Sequence, residues 1–156
     1  MPICNLAELK SLLPRGQRLM GLDHGTKTLG LALSDVLLMV ASPFETIMRV
    51  KFTPDAKKLL EAVDKQGVGG LVIGLPVEMD GGEGPRCQSV RQFAANLMEL
   101  RDLPIAFWDE RLSTSAVERM MINEADISRK KRAGLKDKLA AVWILQGALD
   151  SLAYQQ

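Results

Sequence analysis

The chain has 156 residues, with 20 Lys and Arg against 19 Asp and Glu, a formal charge of +1. That length suits one domain with a full core, and the near-neutral balance excludes nucleic-acid binding through overall charge, so any basic surface has to be local. The apolar share of 47% contains no bilayer-length run, and one histidine with two distant cysteines, Cys4 and Cys87, argues against a zinc site. The same cysteine usage predicts a reduced, cytoplasmic protein with no membrane partner.

The N-terminal stretch MPICNLAELKSLLPRG reads as a short surface helix, capped by Asn5 and stopped by Pro14 and Gly16, without the basic start and apolar centre of a signal peptide. Residues 1–17 are thus expected to be a helical extension ahead of a single domain, 18–156. Arg18 to Asp35 organises the rest: Leu19 to Leu22 is a buried strand, Gly25 turns the backbone, and Leu29 to Leu33 is a second strand. Asp23 ends the first of them. A carboxylate there is costly to desolvate, so it either accepts hydrogen bonds from the amides of its own turn or holds a cation.

Pro43 to Arg49 supplies a third strand, and Pro54 opens a helix over Asp55 to Gln66 that Gly67 and Gly69 close. Leu71 to Ile73 is a strand ended by Gly74, and a Gly-rich loop leads to a helix over Arg86 to Arg101. Ile105 to Trp108 is the next strand and runs into Asp109, Glu110 and Arg111. Ser113 caps a helix to about Asn123, a basic stretch spans Ser128 to Lys138, and the last helix, apolar nearly all round, starts at Asp137. This order predicts an α/β fold, a mixed sheet with helices on both faces. Asp23 and Glu110 then stand at strand ends, where open α/β sheets tend to hold ligands.

Asp137 shares a helix face with Ala141, Ile144 and Ala148, and its place in the first turn leaves two readings, helix capping or a third site carboxylate. Asp23, Glu110 and Asp137 together are hard oxygen ligands of the kind that suits Mg2+ or Mn2+. Two such ions about 4 Å apart can activate water and stabilise the leaving oxygen in phosphodiester hydrolysis. Asp109 is the substitute should Asp137 fail, although strand alternation turns it away from Glu110. For the nucleic-acid strand the candidates are Lys27, Arg86, Arg111 and the run Arg129, Lys130, Lys131 and Arg132, the densest positive stretch in the chain. Each also has a plain reading as a solvated or locally paired side chain.

The blocks GLDHGTKTLGLALSD, VIGLPVEMDGGEGPR, FWDERLST and KDKLAAVWILQGALD resemble, in order and spacing, the YqgF family of bacterial proteins, described both as Holliday junction resolvases and as nucleases of precursor ribosomal RNA. The resemblance implies a ribonuclease H-like fold with a mixed five-stranded sheet flanked by helices on both faces. It also implies a metal-dependent nuclease with Asp23, Glu110 and Asp137 as the catalytic and metal-binding acids. The implied role is maturing the 5′ end of precursor 16S rRNA, in contact with ribosomal precursor particles, as a monomer or homodimer. Branched DNA is the rival substrate, and a non-catalytic RNA-binding assembly factor the rival function. His24 departs from the apolar or aromatic residue usual at its position, and packing is its expected role.

Overall fold

The computed structural model describes residues 3–112 and 129–154, and side chains outside 129–138. The elements run α1 (Leu6–Leu12), β1 (Arg18–His24), β2 (Thr28–Ser34), β3 (Ala41–Met48), α2 (Phe52–Gln66), β4 (Val68–Leu75), α3 (Pro85–Leu100), β5 (Ile105–Asp109), a single 3-10 turn (Glu110–Leu112) and α4 (Arg129–Tyr154). The five strands form one sheet in the order β3-β2-β1-β4-β5. β1, β2 and β3 are an antiparallel meander, whereas β1, β4 and β5 are parallel. Each parallel link needs a crossover, and α2 and α3 provide the two.

Strand alternation sorts the side chains into two cores. Met20, Leu22, Leu29, Leu31, Leu71 and Ile73 face α2 and α3, where they meet Leu59, Val63, Val90, Phe93 and Leu97. Leu19, Ala32, Val72 and Ala106 face the other way, against Leu9 of α1 and Ala141, Ile144 and Leu145 of α4. The predicted mixed sheet with helices on both faces is the structure found. Asn5 caps α1 in a reciprocal box with Glu8. The helix is anchored as well as exposed, for Leu9 is fully buried and Ile3 bridges to Ile105 beside β5.

Several boundaries differ from the sequence reading, and three of them have a plain physical reason. α2 starts at Phe52 rather than after Pro54, because the buried Asp55 carboxylate accepts the Val50 amide (3.1 Å) from inside the first turn. Gly67 alone closes that helix, and Gly69 already belongs to β4. The basic stretch does not precede the last helix but forms its beginning: α4 starts at Arg129, since Arg, Lys and Leu are good helix formers and Gly134 costs only about 1 kcal/mol. The expected helix over Ser113 to Asn123 lies outside the described residues.

α4 lies against the sheet at two glycines. A Cβ on Gly21 would stand 2.7 Å from the Leu145 Cβ and 2.8 Å from the Ala141 carbonyl oxygen, and one on Gly74 would stand 2.4 Å from the Ile144 Cδ1. Further along, Gln146 binds the Ala41 amide (2.8 Å) beside Ser34, whose hydroxyl accepts the Leu19 amide. The helix therefore runs antiparallel to β1, and the turns before Ala141 lie toward the Asp23 end. Gly21→Ala should cost about 1–3 kcal/mol, because a backbone carbonyl and a Cβ cannot swing aside. A fall in Tm of about 3–10 °C checks it, and an unchanged Tm would mean that α4 is not seated this closely.

Candidate active site

Two carboxylates meet at the carboxyl end of the parallel strands. Asp23 follows Leu22 on β1 and shares the α4 side of the sheet with Leu19 and Gly21; Glu110 opens the turn after β5. β4 lies between those strands, so the two side chains meet only by passing over it. Gly74 makes that passage, since a Cβ there would stand 2.5 Å from the Glu110 Oε1 and 2.9 Å from its Cγ. The missing side chain on β4 is where Glu110 lies. In the sequence Gly74 reads only as a strand end.

Glu110 is hydrogen-bonded to Asp23, and its pKa is pushed up to about 7 by burial first, then by the Asp23 charge and that hydrogen bond, with Arg86 opposing. Two carboxylates in one partly dry site cannot both ionise cheaply, so one keeps a proton and donates it to the other. Asp23 thus finds its partner across the sheet. Its own turn is closed otherwise, with the Gly25 amide on the Thr28 carbonyl at 2.9 Å.

The third expected carboxylate, Asp137, belongs to the helical backbone of α4, one turn before Ala141, and its side chain lies outside the described residues. Its expected place in the first turn is overturned, for α4 begins eight residues earlier, so N-terminal capping is not its role. Asp109 is no substitute: the Arg111 guanidinium holds it at 2.6 Å and keeps its carboxyl below the usual range. Among the described residues no group of three potential metal ligands forms.

The basic candidates divide. Lys27 is exposed at the tip of the β1–β2 turn. Arg111 is committed to Asp109 through its Nε and Nη2 atoms. Arg86, in the first turn of α3, donates to the His24 carbonyl and acts electrostatically on Glu110. Arg129, Lys130, Lys131 and Arg132 belong to the first turns of α4, with side chains outside the described residues. The sequence reading missed Arg49, which donates to the Gly25 carbonyl at 2.5 Å. A cation one residue past a strand gives no local signal of where the hairpin turn will sit.

His24 is 4% exposed and packs on Phe93 with ring centroids 4.8 Å apart. Burial, with Arg49 and Arg86 adding to it, pulls its pKa down to about 4. The ring is therefore neutral across the physiological range.

A family model described as "RuvX: Holliday junction resolvase" matches residues 17–151, nearly the whole chain. The chain belongs to the RuvX family. This is the family that the sequence motifs resemble, and near relatives agree. A Paramagnetospirillum magneticum protein is 69% identical over 151 residues, with 97% of each chain covered. One from Rhodospirillum rubrum is 55% identical, covering 100% of this chain and 97% of its own. Both carry the name "Putative pre-16S rRNA nuclease". Among solved structures, Thermus thermophilus RuvC in complex with a Holliday junction substrate superimposes with a TM-score of 0.52 at 14% identity, covering 87% of this chain and 96% of that one. That likeness is one of fold, and it makes this RuvX chain a RuvC-like, ribonuclease H-type domain.

The raised Glu110 pKa makes stability depend on pH. A group whose pKa is higher folded than unfolded stabilises fully below its unfolded value and loses that contribution as pH rises through the folded one, here from about 4.5 to about 7. In metal-free buffer, Glu110→Gln should raise Tm on the order of 5 °C at pH 8 and much less at pH 5. Thermal melts at both values check this; an equal difference at both would mean that Glu110 is ionised throughout.

Proposed function

We propose that this RuvX protein is a divalent-metal-dependent endonuclease that matures the 5′ end of precursor 16S rRNA, acting in the cytoplasm on ribosomal precursor particles. What supports the metal is the Asp23–Glu110 pair, two hard oxygen donors hydrogen-bonded to each other at the strand ends and of the kind a divalent cation suits. Asp137, one turn from the helix residue seated on Gly21, is the third acid of the proposed site. The names of the Paramagnetospirillum and Rhodospirillum relatives support the RNA substrate, and buried, unpaired cysteines suit a reducing compartment.

Mg2+ or Mn2+ ions, two in this reading, would be held by Asp23, Glu110 and Asp137 and would supply the Lewis acidity that phosphodiester hydrolysis needs. The chain's own groups do the rest. Glu110 gives up its proton when the site is loaded, so loading is favoured as pH rises through about 7. Asp23 is fixed by the β1 ladder and cannot follow a misplaced phosphate, which gives the site its register. Arg86, tethered to the His24 carbonyl, offsets negative charge as a phosphate approaches, and Lys27 and the α4 basic run add salt-sensitive attraction along the strand.

The family description keeps four-way DNA as the rival substrate, on which a two-fold pair of copies would act. End-labelled precursor 16S rRNA and a four-way DNA junction, each with Mn2+, with EDTA and with Asp23→Asn, decide between them. Metal-dependent cutting of the RNA, reduced about 100-fold or more by Asp23→Asn, is the expected result. Cutting of the junction alone would transfer the assignment to DNA, and RNA binding without any cutting would make the protein an assembly factor. Gly74→Ala should lower activity at least about tenfold, because its methyl group displaces Glu110 from Asp23. Retained activity in that variant would remove Glu110 from the site.

A further inference from the structure

Asp23 and His24 are consecutive, and the pleat of β1 sends them to opposite faces of the sheet, Asp23 toward α4 and His24 toward α2 and α3. On its own side His24 borders a pocket of about 410 Å³. Two cations line it: Arg49, from the end of β3, and Arg86, from the start of α3. Each guanidinium is pinned to a main-chain carbonyl of the β1–β2 hairpin, Arg49 to Gly25 and Arg86 to His24, and the guanidinium fork has five donors in all. The rim carries hydroxyl and amide groups, from Thr26, Ser89, Gln92 and Asn96, and among the described residues no carboxylate lines the pocket.

An independent observation marks the floor. His24 is 4% exposed, and its Nδ1 has no hydrogen-bond partner among the described residues. Native proteins seldom leave a buried polar atom unmet unless a ligand or a water reaches it. A larger hollow, about 570 Å³ between β3 and α2, has no such bias, since its lining mixes Lys58 and Lys65 with Glu45 and Glu61. The His24 pocket is built for an anion.

We propose that this pocket is a phosphate subsite, which grips the bound nucleic-acid strand at a phosphate beside the one presented to Asp23 and Glu110. The proposal rests on the nuclease reading. A strand crossing the carboxyl edge of β1 passes from the Asp23 face to the His24 face, and Arg86 is positioned to act on both, bound to the His24 carbonyl on one side and close enough to Glu110 to oppose its proton on the other. Two anchor points on opposite faces of one strand end fix the direction in which the nucleic acid enters.

The chain has one histidine, so its imidazole nitrogens give a single, local NMR signal set. The full-length Asp23→Asn protein, in EDTA to prevent cutting, is titrated with inorganic phosphate, a nucleoside 5′-monophosphate and a short single-stranded oligonucleotide. The oligonucleotide should move the His24 nitrogen signals, with phosphate producing the same shift at higher concentration. Arg49→Gln should weaken oligonucleotide binding about tenfold and reduce the salt slope of log K by about one. Gln92→Glu, which adds one negative charge at the exposed rim without altering a core contact, should weaken it by a similar factor while Tm stays unchanged. A saturating oligonucleotide that leaves His24 unmoved, or two variants that bind like the parent, overturns the subsite. So does a His24 shift with the free monophosphate alone, which would mark a nucleotide pocket unconnected to the strand. A wild-type protein that cuts neither substrate while His24-linked strand binding persists overturns the nuclease reading and leaves the subsite standing.

Discussion

The closeness of α4 to the sheet governs the rest of the molecule. Helix and strand axes normally keep a side chain's distance; here Gly21 removes one layer of atoms, and the Ala141 carbonyl and the Leu145 Cβ occupy the space. This contact joins the last helix to the first strand, so residues far apart in the sequence are held together beside Asp23. It also fixes depth, since α4 is seated on β1 at Gly21 and its earlier turns run toward Asp23, two residues along the same face. The acid is thereby half-buried rather than free in water.

At the neighbouring strand the same device serves chemistry. Gly74 is the position at which the sheet yields its own packing so that Glu110 can lie across β4. The cost shows in the charge state: two carboxylates held together without a cation retain a proton that neither would keep in water. Fold stability and the cation loading proposed for the site are consequently opposed. Ionisation of Glu110, which that loading would require, is the state that the fold alone disfavours. Sites arranged in this way are stable when protonated and become good cation traps as pH rises.

Much of this is legible in the sequence because the strands are short apolar runs, most of them set off by glycine or proline. The meander, the two crossovers and the buried faces of α2 and α3 follow from periodicity alone. The convergence of Asp23 and Glu110 does not. Those residues are far apart in the chain, and what brings them together is an absence, the missing Cβ of Gly74 on an intervening strand that no local pattern signals. The extent of α4 is hidden for a related reason. A run of Arg and Lys has the charge of a loop and the propensity of a helix, and tertiary context decides between them. His24 is expected to pack and does so against Phe93, whereas the pocket beside it requires Arg49, whose position depends on where the hairpin turn falls.

The sheet is also guarded at both margins. Beside β5 the chain start supplies a bridge, with Ile3 opposite Ile105 and the Cys4 amide on the Ile105 carbonyl at 3.0 Å, so that edge already has part of a neighbour. At the opposite margin β3 carries Pro43, which has no amide to offer, an exposed Glu45, and a register shift between Leu31 and Ala32 that bends the ladder. Neither margin invites another strand to add on. A domain with almost no net charge lacks the mutual repulsion that keeps more highly charged proteins apart, so its blunted sheet edges remove one route by which copies could join.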